Sequence, residues 1–211
     1  MTKKITITEG LVELKLYDKR IKKAIDEGSY VDAVKKSSKQ VNHNTREFAS
    51  SSMMGQYQSV TDLIKNRNAL KAAIVQSNAM TKVVIGGCEM TVAEAIERKT
   101  SIIYEKHLLE ELRSQYLLAK DTCDSENKKV QLQVDKLIEK IAEKDSKSKD
   151  LNEEQILISN TYKEANEFEL FDPLKIVDKI DALSRDIETF ESNVDTALAL
   201  SNATTFIEVN V

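Results

Sequence analysis

Apolar residues recur along this chain at two spacings, every second residue and every third or fourth. The points where one spacing gives way to the other predict its elements. Residues 4–8, Lys-Ile-Thr-Ile-Thr, alternate and are β-branched, which predicts a strand. Thr8-Glu9 should then open a helix with an acid in its first turn. Leu11, Leu14, Ile21 and Ile25 share one face of that helix, which should stop near Glu27, before Gly28-Ser29. Residues 30–52 lose the rhythm and read as a loop or broken helix. It resumes near Met53, with Tyr57, Val60, Ile64, Leu70 and Ile74 on one side, and should end near Asn78.

Residues 82–91, Lys-Val-Val-Ile-Gly-Gly-Cys-Glu-Met-Thr, organise the chain on either side of them. Val83, Val84 and Ile85 favour a strand, Gly86-Gly87 supplies the positive φ of a tight turn, and Cys88-Glu89-Met90 returns. Thr91 is placed to cap the next helix. That helix carries the strongest periodicity: Leu109, Leu112, Tyr116, Ala119, Cys123, Val130, Val134, Leu137 and Ile141 form a coiled-coil seam. From Thr91 to about Asp145 it would measure roughly 80 Å at the standard rise. It needs an antiparallel arm, a second subunit, or both.

Residues 144–152 read as a charged turn, and Ile156, Leu157 and Ile158 lie in a helix returning as far as Phe171-Asp172-Pro173. Asp172 as N-cap with Pro173 at the first helical position starts the last helix. Its seam is Ile176, Ile180, Leu183, Ile187, Phe190, Val194 and Ala197, and it should end at Ser201-Asn202, before a strand over 204–209. Ser77-Asn78-Ala79-Met80-Thr81 and Ser201-Asn202-Ala203-Thr204-Thr205 close two helices alike, a weak internal repeat dividing the chain at about 1–85 and 86–211. If the halves are duplicates, the two terminal strands should flank the hairpin in one small sheet.

The expected fold is therefore mostly α: an elongated antiparallel helical bundle over 1–211, with a coiled-coil arm at about 105–170 and a small β-hairpin or sheet at one end. Composition agrees, with 31% charged and 5% aromatic residues, one Pro and no Trp. A net charge of −4 with both signs interspersed argues against nucleic acid as a partner. No run approaches the roughly 20 apolar residues of a membrane helix. No signal-peptide core follows the basic start either, so a soluble cytoplasmic protein with no membrane partner is expected.

Chemistry is sparse. His43 falls in a polar loop, His107 mid-helix beside acids, Cys123 on the seam and Cys88 after the turn with no histidine near it in sequence. No phosphate-loop, dinucleotide or metal spacing is present, so no enzyme, no metal and no cofactor are expected. Two places can take a small anion. At the start of the long helix, Gly86 and Gly87 allow close backbone approach, the amides after Thr91 favour negative charge, and Arg98 and Lys99 add to it. An ordinary capped helix is the alternative. Second, Lys65-Asn66-Arg67-Asn68 interrupts a seam with polar groups that must bridge to a neighbouring helix or hold a ligand. Arg67 has the fork geometry for phosphate or carboxylate.

The stretches LIKNRNALKAAIVQSNAMTKV, MTVAEAIERK and DPLKIVDKIDALSRDIETFESNVDTALALSNATTF resemble, in layout from Val60 onward, the septicolysin-like family of small helical proteins of bacteria and phages. The chain departs from that pattern at residues 50–55, in its long arm, and at Ala203 where members tend to carry an aromatic. The resemblance implies a self-associating helical protein of bacterial or phage origin. The reading is a non-enzymatic homo-oligomer holding a small anionic, nucleotide-like ligand at subunit interfaces. Its build is analogous to the sponges with which phages sequester nucleotide immune signals. The alternative is a structural or protein-docking coiled coil without a small ligand.

Overall fold

Apolar side chains at helical spacing can be buried only if the helices carrying them lie on other elements. The computed structural model, which describes residues 2–144 and 153–210, meets that demand with a mostly α fold and small antiparallel sheets. In order the elements are β1 (Thr2–Thr6), α1 (Ile7–Glu27), β2 (Gln40–Val41), β3 (Asn44–Thr45), α2 (Arg46–Met80), β4 (Lys82–Ile85), β5 (Cys88–Thr91), α3 (Val92–Lys144), α4 (Glu153–Asn166), α5 (Ile176–Thr204) and β6 (Phe206–Asn210). They group into two units, one of residues 1–100 with 189–211 and the other of residues 101–188.

In the first unit, Ile5, Ile7, Leu14, Leu70, Ile74, Ile207 and Val209 form one buried cluster, with Tyr17 and Ala73 against it. Leu70 is wholly buried. Burying a side chain of that size contributes about 1.5–3 kcal/mol. Gly10 belongs to the same contact, because a Cβ there would stand 3.2 Å from Ile74 Cδ1.

Two corners of this unit share one construction. Thr6 and Glu9 form a capping box at the start of α1, and Thr91 and Glu94 do the same for α3. Ile7 N–H donates to Thr205 O at 3.0 Å and Val92 N–H to Thr81 O at 2.9 Å. Thr81 N–H and Thr205 N–H close their helices onto Ser77 O and Ser201 O. The strand registers agree as well: with Thr6 set on Thr91, buried Ile207 and Val209 fall on buried Val83 and Ile85.

The terminal strands do not flank the hairpin. β1 pairs with β6 over five residues, β4 pairs with β5 over four, and the two pairs are separate sheets. The inward side chains of the terminal pair lie in the cluster with Leu70 and Ile74 of α2, so a helix and not a third strand completes their burial.

In the second unit, Ile102, Leu109, Val130 and Val134 of α3 and Ile187 of α5 are buried, and Leu112, Tyr116, Cys123, Leu137 and Ile141 are half-buried. The α3 seam is thus the inward one, with Ala119 alone exposed. The helix is continuous across residues 121–127. The expected turn at 144–152 falls, from residue 145 onward, outside the described residues.

Several boundaries differ from expectation. α2 begins at Arg46, because Thr45 Oγ1 caps it by accepting from Phe48 N–H at 3.3 Å and Ala49 is buried. The serines at 50–52 are simply accommodated within it. α5 begins at Ile176 and not at Pro173: the Asp172 carboxylate accepts from Leu174 N–H and Ile176 N–H, and Lys175, at φ 51°, breaks the helical path between them. α2 and α5 run on to Met80 and Thr204. Leu11, Ile25, Tyr57 and Ile64 lie off the buried stripes and are exposed.

Candidate functional site

The hairpin β4–β5 is built as its sequence demands. Gly86 and Gly87 adopt φ 59° and 83°, the left-handed turn that only glycine enters without cost. Lys82 Nζ reaches Glu89 Oε2 at 2.7 Å across the strands.

At the start of α3, three of the four terminal amides already have acceptors. Val92 N–H donates to Thr81 O, Glu94 N–H to Thr91 Oγ1 at 3.1 Å, and Thr91 N–H to Glu94 Oε2 at 2.7 Å. The Thr91 hydroxyl also donates to that carboxylate, at 2.9 Å. These donors hold the Glu94 carboxyl below the usual carboxylate range, the backbone hydrogen bond from Thr91 being the main cause. A carboxylate of the chain therefore sits where an external anion would be drawn. Arg98 lies over the Phe190 ring, 4.5 Å from its centroid, and Lys99 Nζ pairs with Asp195 Oδ1 at 2.5 Å.

In the polar interruption of α2, Arg67 Nε donates to Asp18 Oδ1 of α1 at 3.0 Å, and Arg67 Nη1 to Asn68 Oδ1 at 3.5 Å. Asn66 is half-buried, and Lys65 and Asn68 are exposed. Arg67 precedes Thr81 by fourteen residues of α2, about 20 Å of helix, so the two sets of candidate residues are not gathered into one pocket.

Cys88 is exposed and Cys123 half-buried. His43 occupies the β2–β3 turn at φ 65°, beside Asn42 at 48°, and His107 is exposed on α3. Among the described residues no three His, Cys, Asp or Glu side chains are disposed to hold a metal, and no helix is long and apolar enough to cross a membrane.

Two loops are held firmly by bonds to residues distant in sequence. In the first unit, Arg46 donates from Nε to Ser38 O at 2.7 Å and from Nη2 to Lys35 O and Lys36 O, fixing loop 28–45 by its carbonyls. Ser29 N–H adds a bond to Gln56 Oε1, and the Tyr30 hydroxyl donates to Ala24 O. Around this loop, Val31, Phe48 and Met54 are exposed, and Tyr30, Val34, Met53 and Met54 line an open cleft of about 290 Å³. In the second unit, Asn127 clasps Phe168 from both sides, accepting from its N–H at 2.8 Å and donating to its carbonyl at 2.9 Å. With the Asp172 cap this fixes loop 167–175, which leaves Phe171 89% exposed and Leu174 60%. The exposed Phe168 and Phe171 are the signal a sequence carries for such a loop. Nothing local announces the Arg46 and Asn127 bonds to distant backbone.

No family model, curated protein or solved structure matches the chain.

Proposed function

We propose that this chain is a non-enzymatic helical binding protein that works as a homo-oligomer. The observation that carries the reading is Phe171. An aromatic ring left almost wholly in water beside the exposed Phe168, Leu170 and Leu174, on a loop whose backbone is clasped by Asn127 and capped by Asp172, is a preorganised apolar contact. The layout resemblance to septicolysin-like proteins supports self-association too. The ligand in this reading is a small anion of nucleotide type, held where basic side chains of adjacent subunits converge. Residues 15–71 supply such side chains, with twelve basic against six acidic residues in a chain of net charge −4.

A second reading, a docking protein without a small ligand, is favoured by a specific observation: Arg67, Arg98 and Lys99 each already have a partner within the chain. Calorimetric titration of the purified assembly with cyclic nucleotides and ADP-ribose derivatives separates the two. The first reading expects saturable binding that weakens when Lys65 and Arg67 are changed to Ala. Absence of heat with every nucleotide tested would leave the docking reading.

A further inference from the structure

We propose that loop 167–175 of one copy docks on the basic, methionine-lined face around loop 28–45 of a second copy. This deepens the homo-oligomer reading and rests on it. Residues 167–175 carry three acidic side chains and one basic one, Lys175; residues 28–46 carry four basic side chains and one acidic one, Asp32. Glu167, Glu169 and Asp172 are exposed on the loop, and Lys35, Lys36 and Lys39 on the face. The apolar parts match in the same way. Phe168, Leu170, Phe171 and Leu174 stand out of the acidic loop, and the exposed Tyr30, Val34 and Met54 line the cleft, whose charged groups are Arg46 and Asp32.

Charge complementarity of this kind fixes which surfaces meet, and burial of aromatic anchors holds them. Methionine suits the receiving side, because an unbranched thioether adapts to a ring and makes favourable sulfur–aromatic contact. Both surfaces are preorganised, one by Arg46 on three carbonyls and the other by Asn127 on Phe168, so little ordering is left to oppose docking. Loop and face are different surfaces, so each copy offers one of each, and the contact closes either reciprocally across a two-fold axis or head-to-tail in a ring or filament.

The test is sedimentation velocity of the full chain over a concentration series, on the wild type and three exposed-surface variants. Phe171→Ser, Lys35→Glu/Lys36→Glu and Glu167→Lys/Glu169→Lys should each keep the wild-type circular dichroism and dissociate at concentrations about tenfold or more higher than the wild type does. The two charge variants mixed together should reassemble, because each then meets its opposite sign at every contact. Raised salt should weaken the wild-type assembly. Wild-type assembly untouched by all three variants would overturn the docking mode while leaving the homo-oligomer reading in place. Dissociation without recovery on mixing would overturn the charge pairing. A wild type that stays monomeric throughout would overturn both.

Discussion

Gly86 and Gly87 look interchangeable in sequence, and the structure predicts that they are not. Both have positive φ, so alanine at either pays the left-handed cost of roughly 1–2 kcal/mol. About 0.4–1 kcal/mol of this is offset by the smaller entropy of the unfolded chain. At Gly87 nothing lies within 4 Å of an added Cβ, so the net loss for Gly87→Ala should be about 1 kcal/mol or less. At Gly86 the added Cβ runs into Thr189 Cγ2 of α5, too close for the two to coexist unmoved. Thr189 is β-branched on a helix and has few rotamers to escape into. Overpacking of this sort adds about 1–3 kcal/mol, which brings Gly86→Ala to roughly 2–3 kcal/mol.

The assay is urea unfolding followed by circular dichroism at fixed protomer concentration, with Thr189→Ser completing a double-mutant cycle. Serine removes the offending methyl and leaves the backbone carbonyl of position 189, which accepts from Ser192 and Asn193. The cycle should show about 1–2 kcal/mol of coupling between positions 86 and 189 and none between 87 and 189. Equal losses at the two glycines, or no recovery when Gly86→Ala is combined with Thr189→Ser, would refute the seating of the hairpin tip against α5.

The same geometry sets three further outcomes. Leu70→Ala empties the centre of the first unit's core and should cost about 2–5 kcal/mol in the same unfolding assay, whereas Leu200→Ala, at an exposed position of α5, should cost a small fraction of that. Thr6→Ala and Thr91→Ala each remove a capping box and should each cost about 1 kcal/mol. Glu9 and Glu94 titrate below the ordinary value of 4.5 when folded, so their stabilisation is present above that pH and lost as pH falls through the folded values. The Glu9→Gln/Glu94→Gln chain should show a flatter acid limb, and an unchanged limb would count against the boxes. Arg46→Ala releases three carbonyls, so trypsin should cut at Lys35, Lys36 or Lys39 at least several-fold faster while α2 stays folded; unchanged cleavage would mean the loop is held some other way.

The legible parts of this molecule are those governed by neighbours in sequence. The seam of Leu109, Val130 and Val134, the Gly86-Gly87 turn, the Thr91 cap and the end of α1 at Glu27 each rest on residues within one or two turns, and each stands in the structure. The matching closures at Ser77 and Ser201 were visible for the same reason. The early start of α2 was hidden because Ser50, Ser51 and Ser52 are poor signals for a helix interior, while the deciding facts are the Thr45 cap and burial of Ala49. The pairing of β1 with β6 was hidden because it joins opposite ends of the chain, and alternation says that a strand exists, not which strand it meets. The same distance separates Arg67 from Asp18, Asn127 from Phe168 and Lys99 from Asp195, so which candidate residues are bound internally had to come from the fold.

The central claim, a homo-oligomer that carries its ligand between subunits, is most directly tested by native mass spectrometry of protein purified from cells without denaturation. The expected result is a mass at an integer multiple of the 23.8 kDa chain, with an added small mass that leaves on activation and fragments as a nucleotide. A 23.8 kDa species alone at every concentration would contradict it.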